Sequence, residues 1–133
     1  MFLGIDKMVL VDSSIWIEYF KGSSSALPLN SLIDSNNVCT NDLILAELIP
    51  SINHKKEEIL RELLLTITKL QLSINWGQII QMPTINLRNG LNKIGLVDLI
   101  IAQNAIENDV KLYTIDKHFS LMSNLHGLRL FNQ

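Results

Sequence analysis

Short apolar, β-branched runs alternate with helix-like segments along this chain, and that alternation restricts its fold more than any other feature. The runs are MVLV (8–11), NNVCT (36–40), LQLSI (70–74), VKLYTI (110–115) and LRLF (128–131). Each is too short for a helix and apolar enough for a strand buried on both faces. Between them lie SIWIEYF, LPLNSLID, DLILAELI, HKKEEILRELLLTITKL and IGLVDLIIAQNAIEN, then DKHFSLMSN before the last run. Strands separated by helical crossovers predict a mainly parallel, five-stranded sheet with helices on both faces.

Local signals set the expected boundaries. Ser13 and Ser14 are N-cap candidates for the first helix, and Asn41 or Thr40 for the helix through DLILAELI, which is expected to end near Pro50 and Ser51. In the fourth segment Ile59, Leu60, Leu63, Leu64, Ile67 and Leu70 recur at three and four, the spacing of an amphipathic helix. A helix is expected over much of 76–92, with Pro83 starting, kinking or splitting it. The 133 residues suit a single domain over 1–133, with 1–7 as an N-terminal extension before the first strand.

Composition narrows the function. Hydrophobic residues at 47% allow a real core, and a single cysteine, Cys39, excludes an internal disulfide framework and reads as a buried thiol. The net charge of −2 excludes a generally basic nucleic-acid binder, so a polyanion would need a local patch, a metal or a partner. The longest uncharged stretch, Leu70 to Leu87, is broken by amides and is no membrane span. No secretory signal is read at the N-terminus, and a soluble, cytoplasmic protein is the expectation.

Four carboxylates fall where a structural role explains them poorly. Asp12 ends the first strand and Asp116 follows LYTI at the end of the fourth. Glu47 is the only charge from Leu43 to Asn53, and Asp98 the only one between Lys93 and Glu107. Acids near helix N-termini can be simple caps favoured by the macrodipole. Four at the carboxyl edge of one parallel sheet would repel one another, and this edge is where such folds bind ligands. A hard dication with oxygen ligands, Mg²⁺ or Mn²⁺, removes the repulsion, and metal-assisted phosphodiester hydrolysis is the matching reaction class.

VLVDSSIWIEYF, NDLILAEL, GLVDLIIAQNA and LYTIDKHF, in this order and spacing, resemble a PIN domain, and more narrowly the VapC-type ribonuclease toxins of type II toxin–antitoxin pairs. The resemblance runs from Met8 onward. It implies a three-layer α/β/α sandwich, a Mg²⁺-dependent endoribonuclease with Mn²⁺ as a substitute, an RNA substrate, a cognate antitoxin and a homodimer. It also implies Asp12 and Asp98 as principal metal ligands. Glu47 and Asp116 complete the quartet by binding metal or orienting the attacking water. Thr114 and Ser13 match hydroxyl positions beside the acids. The stretch with Pro83 and NLRNGLNKIG departs from the family pattern.

Other residues are weighed against plainer roles. Arg88, Lys93 and Lys117 are candidate phosphate contacts. His118 reads as a solvated histidine at a helix start rather than a phosphate ligand. Asp42 reads as a first-turn acid, because five residues from Glu47 is roughly 140° round a helix. Trp16 reads as core; Tyr19 and Phe20 divide between core and a partner surface. Two other functions compete: a doubly wound phospho-acceptor signalling domain, and a catalytically inactive PIN-like interaction module. The first lacks an acceptor aspartate in 70–76 and the D-x-D of aspartyl-phosphate hydrolases; the second is at odds with four acids being present.

Overall fold

A computed structural model describes residues 7–131. Of the expected extension over 1–7, only Lys7 lies within them, and it is exposed. In chain order the elements are β1 (Val9–Val11), α1 (Ser13–Phe20), a 3₁₀ turn (Ser24–Ala26), α2 (Pro28–Asp34), β2 (Val38–Thr40), α3 (Asp42–His54), α4 (Glu58–Thr66), β3 (Thr68–Lys69), α5 (Trp76–Arg88), α6 (Leu96–Glu107), β4 (Lys111–Tyr113) and α7 (Lys117–His126).

The sheet runs β3-β2-β1-β4 and every pairing is parallel. Leu10 pairs with Cys39 on one side and Leu112 on the other. All residues of β1 and β2 are buried, as strands covered on both faces must be. The chain steps outward from β1 to β3 and then returns to the far side of β1. Right-handed crossovers put the helices of the outward and return journeys on opposite faces, giving the α/β/α layering. The helices pack accordingly: α1 against α3 and α3 against α4 in one group, α5, α6 and α7 in the other. The core between them holds Leu10, Val11, Ile15, Trp16, Leu29, Ile44, Leu64, Ile101, Leu112, Tyr113, Phe119 and Met122, all essentially without solvent contact. No helix among the described residues is long and apolar enough to cross a membrane.

Several boundaries differ from expectation. The sheet has four strands rather than five, because LRLF makes a single bridge, Leu112 to Leu130. The third strand falls at Thr68–Lys69, ahead of LQLSI. The segment after it is claimed by side chains of α6. Asn104 Nδ2 donates to the Gln71 carbonyl at 3.1 Å, and Gln103 exchanges two bonds with the Asn75 backbone at 3.0 and 3.1 Å. Backbone groups satisfied in this way gain nothing from strand pairing. Pro50 does not end α3, which continues to His54; Ile52, one turn beyond Leu48, is buried and keeps the helix on the core. Pro83 lies inside α5, where buried Ile79, Met82 and Asn86 hold both sides of it. The cap of α1 is Asp12, not a serine.

Asn41 caps α3, accepting from Ile44 N at 2.9 Å, and its Nδ2 donates to Asn104 Oδ1 at 2.9 Å. Both amides are buried. Asn41→Ala removes the cap and strands the Asn104 oxygen. A cost of about 1–3 kcal/mol is expected, read as a lower denaturant midpoint with unchanged slope; an unaltered midpoint contradicts the assignment.

Candidate active site

The strand order reverses at β1, so the carboxyl ends of β1 and β4 flank the switch point. Asp12 follows β1, and its backbone N–H extends the ladder to the Tyr113 carbonyl at 2.9 Å. Its side chain is buried at 5% exposure, and every hydrogen bond recorded to it ends on Oδ2. Ser14 Oγ donates at 2.7 Å and Thr114 Oγ1 at 2.9 Å, with the Ser14 backbone N–H at 3.4 Å. Each hydroxyl in turn accepts a backbone N–H from the turn after β4: Ile115 N to Ser14 Oγ at 3.3 Å, Asp116 N to Thr114 Oγ1 at 3.0 Å. The two strand ends are thus laced together through Asp12, and among the described residues no donor reaches Oδ1.

Asp116 caps α7 by accepting from His118 N at 2.9 Å, which brings the His118 ring over the cap. His118 Nδ1 lies 3.1 Å from Asp98 Oδ2 and 3.7 Å from Asp116 Oδ1. Asp98 is in the first turn of α6. Among the described residues, donors from Asp98, Asp116 and His118 lie within 4.8 Å of one another. Asp12 and Glu47 both lie outside that group, Asp12 at the end of β1 and Glu47 in the second turn of α3 with the Ser13 side chain beside it.

Desolvation raises the Glu47 carboxyl above its ordinary range, and the negative charges of Asp12, Asp98 and Asp116 raise it further, against the Ser13 bond. Desolvation also raises Asp98, with Asp116 and Asp12 adding to it while His118 opposes. Glu47 therefore senses all three other acids, although the residue as a whole is exposed. Among the described residues no lysine or arginine lies within 4.0 Å of any of the four; the ion pairs of lysine and arginine go to Glu18, Asp42, Glu58 and Asp109. Carboxylate oxygens in excess, with one imidazole and no resident cationic side chain, form a donor set that suits a divalent cation.

Two residues of the cluster carry roles that sequence alone understated. Ser14, expected only as a helix cap, is a hydroxyl on Asp12; the signal was the Asp-x-Ser spacing, which puts a hydroxyl two residues beyond a capping carboxylate. His118, expected in solvent, is half-buried against Asp98. Asp42 is exposed and paired with Lys69 at 3.1 Å, as a first-turn surface acid. The proposed phosphate contacts are dispersed: Lys117 opens α7 beside Asp116, Arg88 ends α5, and Lys93 lies between α5 and α6 with a left-handed φ of 69°. All three are exposed. Trp16 is core; Tyr19 and Phe20 pack partly on it. Burial pushes the Cys39 thiol up to about 12, which leaves it unreactive.

A raised carboxyl binds its proton more tightly folded than unfolded. In the metal-free chain stability therefore falls as pH rises from the ordinary carboxylate range through the folded values of Glu47 and Asp98, and the loss persists at neutral pH. With chelator present, Asp98→Asn is expected to melt about 2–4 °C above the parent chain at pH 7, the shift that up to about 1 kcal/mol gives a domain of this size. That advantage should vanish near pH 4. Equal melting at pH 7 contradicts the electrostatic reading.

Residues 9–125 match the PIN domain family. Three solved structures are similar in fold. VapBC2 from Rickettsia felis, bound to a promoter DNA fragment, superposes with a TM-score of 0.70 at 24% identity, covering 95% of this chain and 98% of that one. FitAcB from Neisseria gonorrhoeae gives 0.69 at 21%, covering 94% and 97%. DNA-bound VapBC from Salmonella typhimurium gives 0.71 at 16%, covering 93% and 96%. No curated protein matches. With the family matched over nearly all of the described residues, the chain belongs to the PIN-domain family.

Proposed function

We propose that this chain is a metal-dependent endoribonuclease, the toxin of a type II toxin–antitoxin pair. One observation carries the reading: Asp98 and Asp116 converge beside His118, Asp12 closes the carboxyl end of β1, Glu47 feels the charge of all three other acids, and among the described residues no lysine or arginine lies within 4.0 Å of the four. Membership of the PIN family and the fold shared with toxin–antitoxin complexes support it.

In this reading Asp12 and Asp98 hold the cation. Asp12 binds through Oδ1, because Oδ2 is committed to Ser14 and Thr114. Glu47 and Asp116 would complete the quartet, binding the metal or orienting the attacking water. Thr114 holds Asp12 directly, and Ser13 acts on Glu47. A bound dication, Mg²⁺ with Mn²⁺ as substitute, supplies polarisation of the phosphate and a more acidic water. It also turns an acidic cleft attractive to a polyanion, with Lys117, Arg88 and Lys93 as further phosphate contacts. An antitoxin partner and a homodimer follow from the same family resemblance. A fourth structure of similar fold, with a TM-score of 0.61 at 21% identity, is a toxin–antitoxin complex from Klebsiella pneumoniae.

Purified protein is expected to cleave RNA only with Mg²⁺ or Mn²⁺, to lose cleavage with chelator, and to regain it on metal addition. Asp12→Asn and Asp98→Asn should each lower the rate by about 100-fold or more. Full cleavage by both variants contradicts the assigned roles.

A further inference from the structure

We propose that His118 is a nitrogen ligand of the metal site and biases it from Mg²⁺ toward first-row transition dications such as Mn²⁺. The inference rests on the metal-site reading above and extends it to which ion the site prefers.

Two donors on one dication at about 2.1 Å lie about 3.0 Å apart when cis and about 4.2 Å apart when trans. His118 Nδ1 lies 3.1 Å from Asp98 Oδ2 and 3.7 Å from Asp116 Oδ1. Both separations fall within that interval, and the three donors all lie within 4.8 Å of one another, so a small closing of Asp98 toward Asp116 lets them meet one ion. Position on the helix explains why. Asp116 caps α7 and takes the His118 N–H at 2.9 Å, so the ring is carried by the residue after next, on the same first turn as the capping carboxylate. The ring is neither in bulk solvent nor in the core, with a side-chain exposure of 41%. An exposed edge leaves Nε2 able to carry the ring hydrogen while Nδ1 offers its lone pair.

The chemistry then sets the preference. An all-oxygen site with retained waters suits Mg²⁺, which is hard and demands near-octahedral oxygen coordination. An imidazole is a softer donor than a carboxylate and adds affinity for transition dications over Mg²⁺, least for Mn²⁺ and more for Fe²⁺ and Zn²⁺. In the metal-free chain the same nitrogen serves a second purpose, as a hydrogen-bond partner for Asp98 that no lysine or arginine provides.

The test uses the full chain loaded with Mn²⁺. Electron spin echo spectroscopy of the bound Mn²⁺ should show modulation from a directly coordinated nitrogen. His118→Gln should abolish that modulation and lower Mn²⁺ affinity by about 10-fold or more, with Mg²⁺ affinity within about twofold of the parent, both measured by calorimetry. His118→Ala, measured alongside with a circular-dichroism melt, separates loss of the ligand from loss of fold. Bound Mn²⁺ without nitrogen modulation, or an unchanged preference for Mn²⁺ over Mg²⁺ in both variants, overturns the role of His118 and leaves the metal site standing. No binding of either ion by the parent chain at millimolar concentration overturns the metal site itself, and His118 with it.

Discussion

Everything at the active edge depends on the bond pair that converges on Asp12 Oδ2. The sheet reverses direction at β1, which leaves the ends of β1 and β4 side by side without a covalent connection. Ser14 and Thr114 close that gap, each giving a hydroxyl hydrogen to the same carboxylate oxygen and each taking a backbone N–H from the turn after β4. Hydrogen bonds to an ionised carboxylate are the strong kind, and here they are shielded from water. Asp12 thereby serves as the cap of α1 and the clasp between strand ends. From this fixed point Asp116 is placed by the turn after β4, and His118 ties Asp98 to it.

The price of the arrangement is electrostatic. Desolvation and mutual repulsion raise Glu47 and Asp98, and the counter-group that Asp98 does have is an imidazole rather than a guanidinium or an ammonium. A chain selected for stability alone would neutralise these acids, as it does elsewhere with Arg129 on Asp109 and Lys69 on Asp42. Leaving them uncompensated is the pattern of a site whose partner arrives from solution. The buried amides beneath serve the same end: Asn41 and Asn104 join the start of α3, which bears Glu47, to α6, which bears Asp98.

Much of this was legible in the residues. The two-faced burial of VLV and VCT, the acid after each of two strands and the isolated charges in Glu47 and Asp98 all follow from patterns local to a few residues. What was not legible depends on contacts across the chain. LQLSI has every mark of a strand, but only Leu70 N stays with the sheet, on the Thr40 carbonyl, while Asn104, thirty-three residues later, takes the Gln71 carbonyl. LRLF is apolar enough for a strand but meets its neighbour at one residue only. Pro50 and Pro83 read as breaks, yet the buried faces on both sides of each keep the helix whole. His118 is polar and next to a cap, and only the arrival of α6 distinguishes a ligand position from a solvated one.

Anomalous diffraction from crystals soaked in Mn²⁺ tests the central claim most directly. The account predicts one strong peak in the cleft bounded by Asp12, Asp98 and Asp116, within bonding reach of Asp12 Oδ1. A cleft without a peak, in crystals where Mn²⁺ occupies surface acids instead, would contradict it.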